Sequence, residues 1–339
     1  MKIKTQIDME RKSKYVSFTK ADDPETELGR LSADESKEAV QLSVSACHCG
    51  GVGKVDRIAK ALVGLSRPHW ILVLWFGLNS LESVPESVWE LVGAEELGLG
   101  TNNLKTISPA IAKLSKLRRL WIDVNPFGGF PGAVCKLEQL EELSGNGCQL
   151  SVLPSSFASL RNLLELGLEE NAFEQFPEVI CELTSLRKLK LDGNKLSSLP
   201  QSFANLRELR WLYISRNRFK EFPQVVCLLP NLERLYMANN RMCELPLAIT
   251  KLVGLKYLNL SENSFTSFPL FVGDLPQLSA FSSYGSFNLF VSISLSHDWH
   301  RQSSSGSTKW PLGSLSAPLP PTALCDPSFN GHHCCWFLL

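Results

Sequence analysis

The stretch LRKLKLDGNKLSSLPQSFANLRE, residues 186–208, separates its first five leucines by three, two, five and three residues. This spacing matches neither the 3.6-residue period of a helix nor the strict alternation of a strand. With Leu186 as position 1, leucines occupy positions 1, 4, 6, 11, 14 and 21. Asparagine occupies position 9, proline position 15 and phenylalanine position 18. Such a mixed pattern is typical of one unit of a repeat.

The pattern recurs every 23 residues from Ile71 to residue 277, without insertion or deletion. Nine units begin at Ile71, Ala94, Leu117, Leu140, Leu163, Leu186, Leu209, Leu232 and Leu255. Position 9 is asparagine in eight of them and Cys148 in the other. The eight asparagines are Asn79, Asn102, Asn125, Asn171, Asn194, Asn217, Asn240 and Asn263. Chance does not produce this register nine times, so residues 71–277 are one repeat array.

Each unit contains a short strand followed by a return path. Positions 4 and 6 alternate with polar neighbours, which indicates a strand with one buried face. Position 9 lies where the chain turns, and an asparagine amide there can bond backbone groups that the sheet leaves unpaired. We therefore predict a structural ladder of stacked asparagines. The remaining apolar positions fill the inside of the coil, and each unit buries its apolar stripe against its neighbours.

The pattern resembles that of leucine-rich repeat proteins. It is most similar to the 23-residue repeats of intracellular members such as Ras-pathway scaffolds and scribble- or erbin-type polarity scaffolds. The resemblance implies an α/β repeat solenoid, a horseshoe with a parallel β-sheet on its concave face. It also implies a non-catalytic scaffold that binds a protein partner on this face, in small-GTPase or related intracellular signalling. The alternative is a regulatory subunit or substrate adaptor of an enzyme such as a phosphatase or ubiquitin ligase.

The flanks of the array have different compositions. Residues 1–38 are rich in charge and poor in aromatics, which predicts disorder. Residues 39–70 carry Leu42 and Val44 at strand spacing, then a helical face, and we predict a cap with a short helix at the open end of the array. Residues 278–339 begin a tenth unit, but serines then stand at the leucine and asparagine positions. This Ser-rich, non-repeat tail is also predicted to be disordered.

The charge balance and the apolar runs indicate a soluble cytoplasmic protein. The formal net charge is zero, which argues against a nucleic-acid partner. The N-terminus lacks the apolar core of a secretory signal, and the longest apolar run, residues 71–76, is too short to cross a membrane. The ten cysteines are therefore expected to be mostly free thiols. Cys135, Cys181 and Cys227 share position 19 of alternate units, roughly 10 Å apart from the strand spacing, which is too far for a disulfide.

The sequence contains no recognisable catalytic or metal-binding set. All six histidines lie outside the nine units. The cysteine–histidine clusters at residues 47–49 and 332–335 lack the paired spacing of zinc sites. Residues 50–54, GGVGK, lack the spacing of a phosphate-binding loop. We therefore predict no enzyme activity, no cofactor, no metal and no small-molecule substrate.

The candidate binding residues lie on the outward face of the strands. An aromatic and basic region comprises Trp211, Tyr213, Tyr236, Tyr257, Arg187, Lys188, Lys190, Arg210, Arg216 and Arg234. Trp121 lies apart from it, and Glu142 and Glu165 head an acidic region with Glu141, Glu169 and Glu170. Aromatic residues with arginine are typical of interface hot spots. The alternative is that the charges only solvate the face and the rings cover neighbouring leucines.

Overall fold

The described part of the chain contains thirteen strands in a single sheet, in which every strand pairs with the next one along the chain. The computed structural model describes residues 6–8, 13–17, 41–45, 52–64, 71–267 and 269–286. The first strands are β1 Gln6–Asp8, β2 Ser13–Ser17, β3 Gln41–Ser45 and β4 Ile71–Trp75. The strands of the later units are β5 Glu96–Gly98, β6 Arg119–Trp121, β7 Glu142–Ser144, β8 Glu165–Gly167, β9 Lys188–Lys190, β10 Trp211–Tyr213, β11 Arg234–Tyr236, β12 Tyr257–Asn259 and β13 Ala280–Ser282.

The ten strands β4 to β13 are parallel and in register with the 23-residue period. Trp211 lies opposite Arg234, and Arg234 opposite Tyr257. The middle residue of each strand from β5 to β12, such as Leu189 or Leu212, is buried on the inner face. The flanking first and third residues therefore lie on the opposite face, which we name the concave face. The predicted α/β repeat solenoid with a parallel sheet is confirmed.

A five-residue 3-10 helix forms the second layer of each unit. The nine helices are Glu86–Glu90, Pro109–Lys113, Gly132–Lys136, Ser155–Ser159, Glu178–Glu182, Gln201–Asn205, Gln224–Leu228, Leu247–Lys251 and Leu270–Asp274. Each begins directly after position 15, where proline fixes φ near −70° in most units, as at Pro200 with φ −73°. The Pro200 carbonyl accepts the amide of Phe203 at 3.0 Å, which closes the turn. Position 18 therefore points into the core, and Phe203 is fully buried there.

The asparagines at position 9 form a ladder inside the turn that follows each strand. Asn194 Nδ2 donates to the carbonyls of Leu168 and Leu191, at 2.9 and 3.0 Å, and its Oδ1 accepts the amide of Phe173 at 3.2 Å. One side chain thus satisfies backbone groups of two consecutive units. Cys148 fills this position in unit four, where its Sγ lies 3.3 Å from the Ile122 carbonyl. Ser286 fills it after β13 and bonds the Leu260 carbonyl at 2.6 Å.

Position 8, just before the asparagine, has a positive φ in every unit. Among these residues, φ is 60° at Leu78, 51° at Val124 and 53° at Arg216. Only Gly147, Gly193 and Gly285 supply the residue type that adopts this conformation without strain. The ladder asparagine therefore holds a turn that most of these side chains disfavour.

The alternation of large and small core residues builds aromatic pairs across unit boundaries. Sequence reasoning predicts that phenylalanine at positions 11 and 14 of units three, five and seven, and at position 18 of units four and six, keeps the core volume per unit roughly constant. The structure brings position 14 of one unit against position 18 of the next. Phe176 meets Phe203 edge to face with centroids 5.3 Å apart, and Phe130 meets Phe157 at 5.1 Å. The alternation therefore also gives each pair the edge-to-face geometry that rings prefer.

The N-terminal part of the sheet includes two strands from within residues 1–38. β3 pairs with the edge of the array at β4, and helix α1, Val52–Val63, packs beside the first 3-10 helix with Ile58 and Leu62 buried. β1 and β2 lie in the segment for which composition predicts disorder. β2 pairs in parallel with β3 and so occupies an edge that would otherwise present unpaired backbone groups. The remaining residues of that segment lie outside the described residues.

The array continues for one strand beyond residue 277. β13 pairs with β12, and Phe281 packs partly buried against the core. The Ser283 hydroxyl is buried without a hydrogen-bond partner. The rest of the 278–339 tail, which is predicted to be disordered, lies outside the described residues. No helix in the described ranges has the length and apolar character needed to cross a membrane.

Candidate functional site

Two parallel rows of side chains run along the concave face, one from position 3 of each unit and one from position 5. The first row reads Val73, Glu96, Arg119, Glu142, Glu165, Lys188, Trp211, Arg234 and Tyr257. The second row reads Trp75, Gly98, Trp121, Ser144, Gly167, Lys190, Tyr213, Tyr236 and Asn259. Because the strands are parallel and in register, neighbours in a row come from consecutive units, about 4.8 Å apart along the sheet.

The first row forms two groups of ion pairs over units two to six, Glu96–Arg119–Glu142 and Glu165–Lys188. Arg119 lies between two carboxylates: it pairs with Glu96 and approaches Glu142 Oε2 at 3.7 Å. Lys188 Nζ lies 3.1 Å from Glu165 Oε2. Burial, then the neighbouring Glu165 carboxylate, raises the pKa of Glu142 above its usual value. The acidic candidates Glu142 and Glu165 therefore belong to a network of charges within the protein.

The first row changes to cation–π contacts over units six to nine. Lys188 Nζ lies 5.0 Å from the centroid of the Trp211 ring. The Arg234 guanidinium lies 4.8 Å from the Trp211 ring on one side and 4.8 Å from the Tyr257 ring on the other. Arg234 is thus held between two aromatic rings. A contact of this kind contributes about 0.5–1 kcal/mol when exposed, and more when water is excluded.

Two tyrosines of the second row lie beside this arginine. The Tyr213 and Tyr236 rings stack with centroids 4.5 Å apart and planes 4° from parallel. Burial raises the pKa of Tyr213 to about 12, so its hydroxyl is neutral and can donate a hydrogen bond at physiological pH. We name Trp211, Tyr213, Arg234, Tyr236 and Tyr257 the aromatic patch. All five side chains are half-buried and reach the surface.

A second aromatic contact, at units one to three, includes a residue that sequence reasoning did not select. Trp75 stacks on Trp121 with centroids 4.7 Å apart, although the two residues are two units from each other. Gly98 lies between them, and a Cβ atom there would lie 2.2 Å from the Trp75 ring. The glycine therefore leaves the space that the stack occupies. The signal in the sequence is a glycine between two tryptophans at the same repeat position.

Most of the basic candidates are neutralised within the protein. Lys190 Nζ lies 3.7 Å from Glu169 Oε2, and Arg210 Nη1 lies 3.5 Å from Glu233 Oε1. Arg216 reaches Glu170 at 2.7 Å across two units, over Gly193. The acidic and basic regions, which the sequence suggests are separate, are therefore joined by ion pairs at their boundary. Among the basic candidates, Arg187 and Arg234 lack a carboxylate within 4 Å in the described part of the chain.

Asp192, at the border of the aromatic patch, titrates near neutrality. Its Oδ1 accepts the Ser215 amide at 2.5 Å. Burial, and then the charge of Glu169, raises its pKa to about 7, although Arg216 and Lys190 oppose this. The folded state therefore holds a proton that the unfolded state releases between about pH 4 and pH 7.

We expect Asp192→Asn to stabilise the protein more at pH 8 than at pH 5. Since the pKa of Asp192 is higher in the folded state, the wild type loses stability as the pH rises through that window. Asparagine stays neutral, and its Oδ1 can still accept the Ser215 amide. Urea unfolding of both proteins between pH 5 and pH 8 measures the difference. If the free energies of unfolding of the two proteins changed in parallel with pH, Asp192 would be ionised in the folded state throughout this range.

The other reactive side chains of the described residues fit structural roles. Cys135, Cys148, Cys181 and Cys227 are buried free thiols, and Cys243 is an exposed one. Burial raises the pKa of Cys148 and of Cys227 to about 11, which makes them poor nucleophiles. In the described ranges, no group of three or more histidine, cysteine or acidic side chains has the geometry to hold a metal ion.

Comparisons with known proteins agree with this repeat architecture. Residues 138–196 match a family model described as Leucine rich repeat, and residues 177–283 match one described as Leucine-rich repeat region. These residues therefore form leucine-rich repeat domains. No curated protein matches the chain.

Several solved structures share the fold. A leucine-rich repeat protein of Leptospira interrogans aligns with a TM-score of 0.67 and 27% identity, over 74% of this chain and 62% of that one. A TDR receptor aligns with a TM-score of 0.57 and 23% identity, over 77% and 49%. An internalin of Listeria monocytogenes aligns with a TM-score of 0.53 and 16% identity, over 74% of this chain and 79% of that one. The match thus spans less than two thirds of the first two of these proteins.

Proposed function

We propose that this protein is a non-catalytic scaffold that binds a protein partner on its concave face, with the aromatic patch as the principal contact. The observation that carries the proposal is the half-buried cluster of one tryptophan, three tyrosines and one arginine on the parallel sheet. Leucine-rich repeat proteins commonly mediate protein–protein interactions, and tryptophan, tyrosine and arginine are the residues enriched at interface hot spots.

The cluster is already ordered by contacts within the protein. The Tyr213–Tyr236 stack and the Trp211–Arg234–Tyr257 sandwich hold these side chains in place. A partner would therefore lose little side-chain entropy on this side of the interface, which favours binding. Trp121 and Trp75 offer a second ordered aromatic contact on the same face. The acidic residues between these two aromatic contacts form ion pairs within the protein. They would contribute charge complementarity at the edge of the interface.

The double substitution Trp211→Ala with Tyr236→Ala is expected to weaken partner binding by about 2 kcal/mol or more. Both rings belong to the aromatic patch, and neither is part of the buried core. The melting temperature should therefore stay close to that of the wild type. Partners identified by proximity labelling in cells would be purified and titrated against both proteins by calorimetry.

A matched control changes two exposed apolar residues on the other layer of the solenoid. Leu247 and Leu270 begin neighbouring 3-10 helices and are 65% and 59% exposed. Leu247→Ala with Leu270→Ala should leave the affinity unchanged. Equal affinity of the aromatic double variant and the wild type would reject the aromatic patch as the binding site.

We also propose an intracellular setting, in small-GTPase or related signalling. The support is the resemblance to 23-residue repeats of intracellular scaffolds and the free thiols of the described cysteines, which are typical of a reducing compartment. Fractionation of cells that express the tagged protein tests this setting. Recovery in the secreted fraction would contradict it.

A further inference from the structure

We propose that Arg234 is the specificity-determining residue of the aromatic patch and that it binds a carboxylate of an acidic segment of the partner protein. This inference rests on the proposed function, because it names the chemistry of the partner that the concave face would take. In the first row of side chains, Arg119 and Lys188 pair with carboxylates, whereas Arg234 lies between aromatic rings.

Arg234 has no carboxylate neighbour where other cations of its row have one. Arg119 lies between Glu96 and Glu142, and Lys188 pairs with Glu165. The row neighbours of Arg234 are instead Trp211 and Tyr257. No acidic side chain of the described residues lies within 4 Å of its guanidinium. The Arg234 guanidinium therefore packs between two ring faces without an ion-pair partner among the described residues, and it can bind an anion.

The contacts of Arg234 leave hydrogen-bond donors unused. Cation–π contacts with the Trp211 and Tyr257 rings involve no N–H group of the guanidinium in a hydrogen bond. Arg234 also favours the ionised form of the Tyr236 hydroxyl, as expected if one of its five donors faces that oxygen. The remaining donors form the planar fork that matches a carboxylate with two parallel hydrogen bonds.

The surroundings of Arg234 favour a partner segment in which an acidic residue stands next to an apolar one. The rings on either side hold the guanidinium in one place, so little entropy is lost when an anion binds. They also exclude water from its faces, which strengthens a charge-assisted hydrogen bond. Tyr213, whose hydroxyl stays neutral, adds a donor and an apolar surface beside it. An acidic segment with an adjacent apolar or aromatic residue complements both features.

Arg187 and Arg216 show why Arg234 is singled out. Arg187 also lacks a carboxylate within 4 Å among the described residues, but it is exposed at the margin of the strand. Arg216 carries the same charge near the patch and is committed to Glu170 at 2.7 Å. Arg216 therefore supplies a matched control: replacing it removes one positive charge from the same face without removing an available carboxylate site.

The test selects short random peptides on the full chain and measures the affinity of the selected peptides. We expect enrichment of aspartate and glutamate beside apolar residues. Arg234→Gln should weaken binding of these peptides about tenfold or more, and Arg234→Lys, which keeps the charge but loses the fork, should give an intermediate loss. Arg216→Gln should change affinity by less than about twofold. Exchange of the peptide carboxylate for an amide should weaken binding to the wild type but not weaken it further in Arg234→Gln.

The outcomes separate this inference from the proposed function. If selected peptides depend on Trp211 and Tyr236 but are not acidic, or bind Arg234→Gln as well as the wild type, the carboxylate site is wrong and the binding face stands. If they depend on none of these residues, the proposed binding face fails as well. Failure to select any peptide that depends on the aromatic patch would overturn recognition of an acidic segment.

Discussion

Replacing Asn194 with alanine is expected to lower the free energy of unfolding by about 3 kcal/mol or more. The Asn194 side chain makes three hydrogen bonds, to the carbonyls of Leu168 and Leu191 and from the amide of Phe173. Alanine leaves all three backbone groups without this partner, in a region where water does not replace it. Each buried backbone group left unpaired costs about 1–3 kcal/mol. Chemical denaturation followed by circular dichroism measures the loss.

Asn205→Ala is the matched control for the ladder variant. Asn205 belongs to the same unit but is exposed at the end of the Gln201–Asn205 helix. Its replacement should change the free energy of unfolding by no more than about 0.5 kcal/mol. Asn194→Ser should fall between the two, because Ser286 makes part of the same network at the equivalent position. If Asn194→Ala were no more destabilising than the control, the ladder would not hold the turns.

Replacing Phe203 with alanine is the second change with a large expected effect, a loss of about 3–5 kcal/mol. Phe203 is fully buried and meets the Phe176 ring of the preceding unit edge to face. The substitution removes the apolar contacts and leaves a cavity on the boundary between two units. Because neighbouring units stabilise each other, we expect a lower unfolding midpoint for the array. Urea titration monitored by tryptophan fluorescence measures it.

A double-mutant cycle with Phe176→Ala separates the ring contact from the lost volume. We expect a coupling free energy of about 0.5–1.5 kcal/mol between the two positions, since edge-to-face pairs contribute this much beyond buried area. Phe203→Leu keeps most of the volume and should cost less than Phe203→Ala. Additive losses in the cycle would mean that the alternation of phenylalanines serves core volume alone.

The repeat made the strands and the core predictable from sequence, whereas the side-chain network on the concave face depends on the structure. The strands and the asparagine ladder follow from a 23-residue period that appears nine times. The positive φ at position 8 has little sequence signal, because residues as different as Leu78 and Arg216 adopt it. The asparagine that follows imposes that turn. Local residue preferences therefore do not predict the backbone conformation at position 8, because hydrogen bonds of the asparagine ladder determine it.

The candidate site was predictable as a set of residues but not as a set of contacts. Sequence alignment of the units places Trp211, Arg234 and Tyr257 in one row, because neighbours in a parallel sheet share a repeat position. It does not show that Arg216 reaches Glu170 over Gly193, since that contact spans two units and depends on a missing side chain. The stack of Trp75 on Trp121 was not predicted for the same reason. At Gly98 and Gly193, long side chains reach beyond the nearest strand because the glycine leaves space.

Site-specific photo-crosslinking in living cells tests the central claim most directly. A photoreactive phenylalanine analogue in place of Tyr213 lies within the aromatic patch, and the same analogue in place of Leu247 lies on the helical layer. We predict that a partner is crosslinked from position 213 and not from position 247, and that Trp211→Ala with Tyr236→Ala abolishes the product. Crosslinking of the same partner from position 247 alone would contradict binding on the concave face.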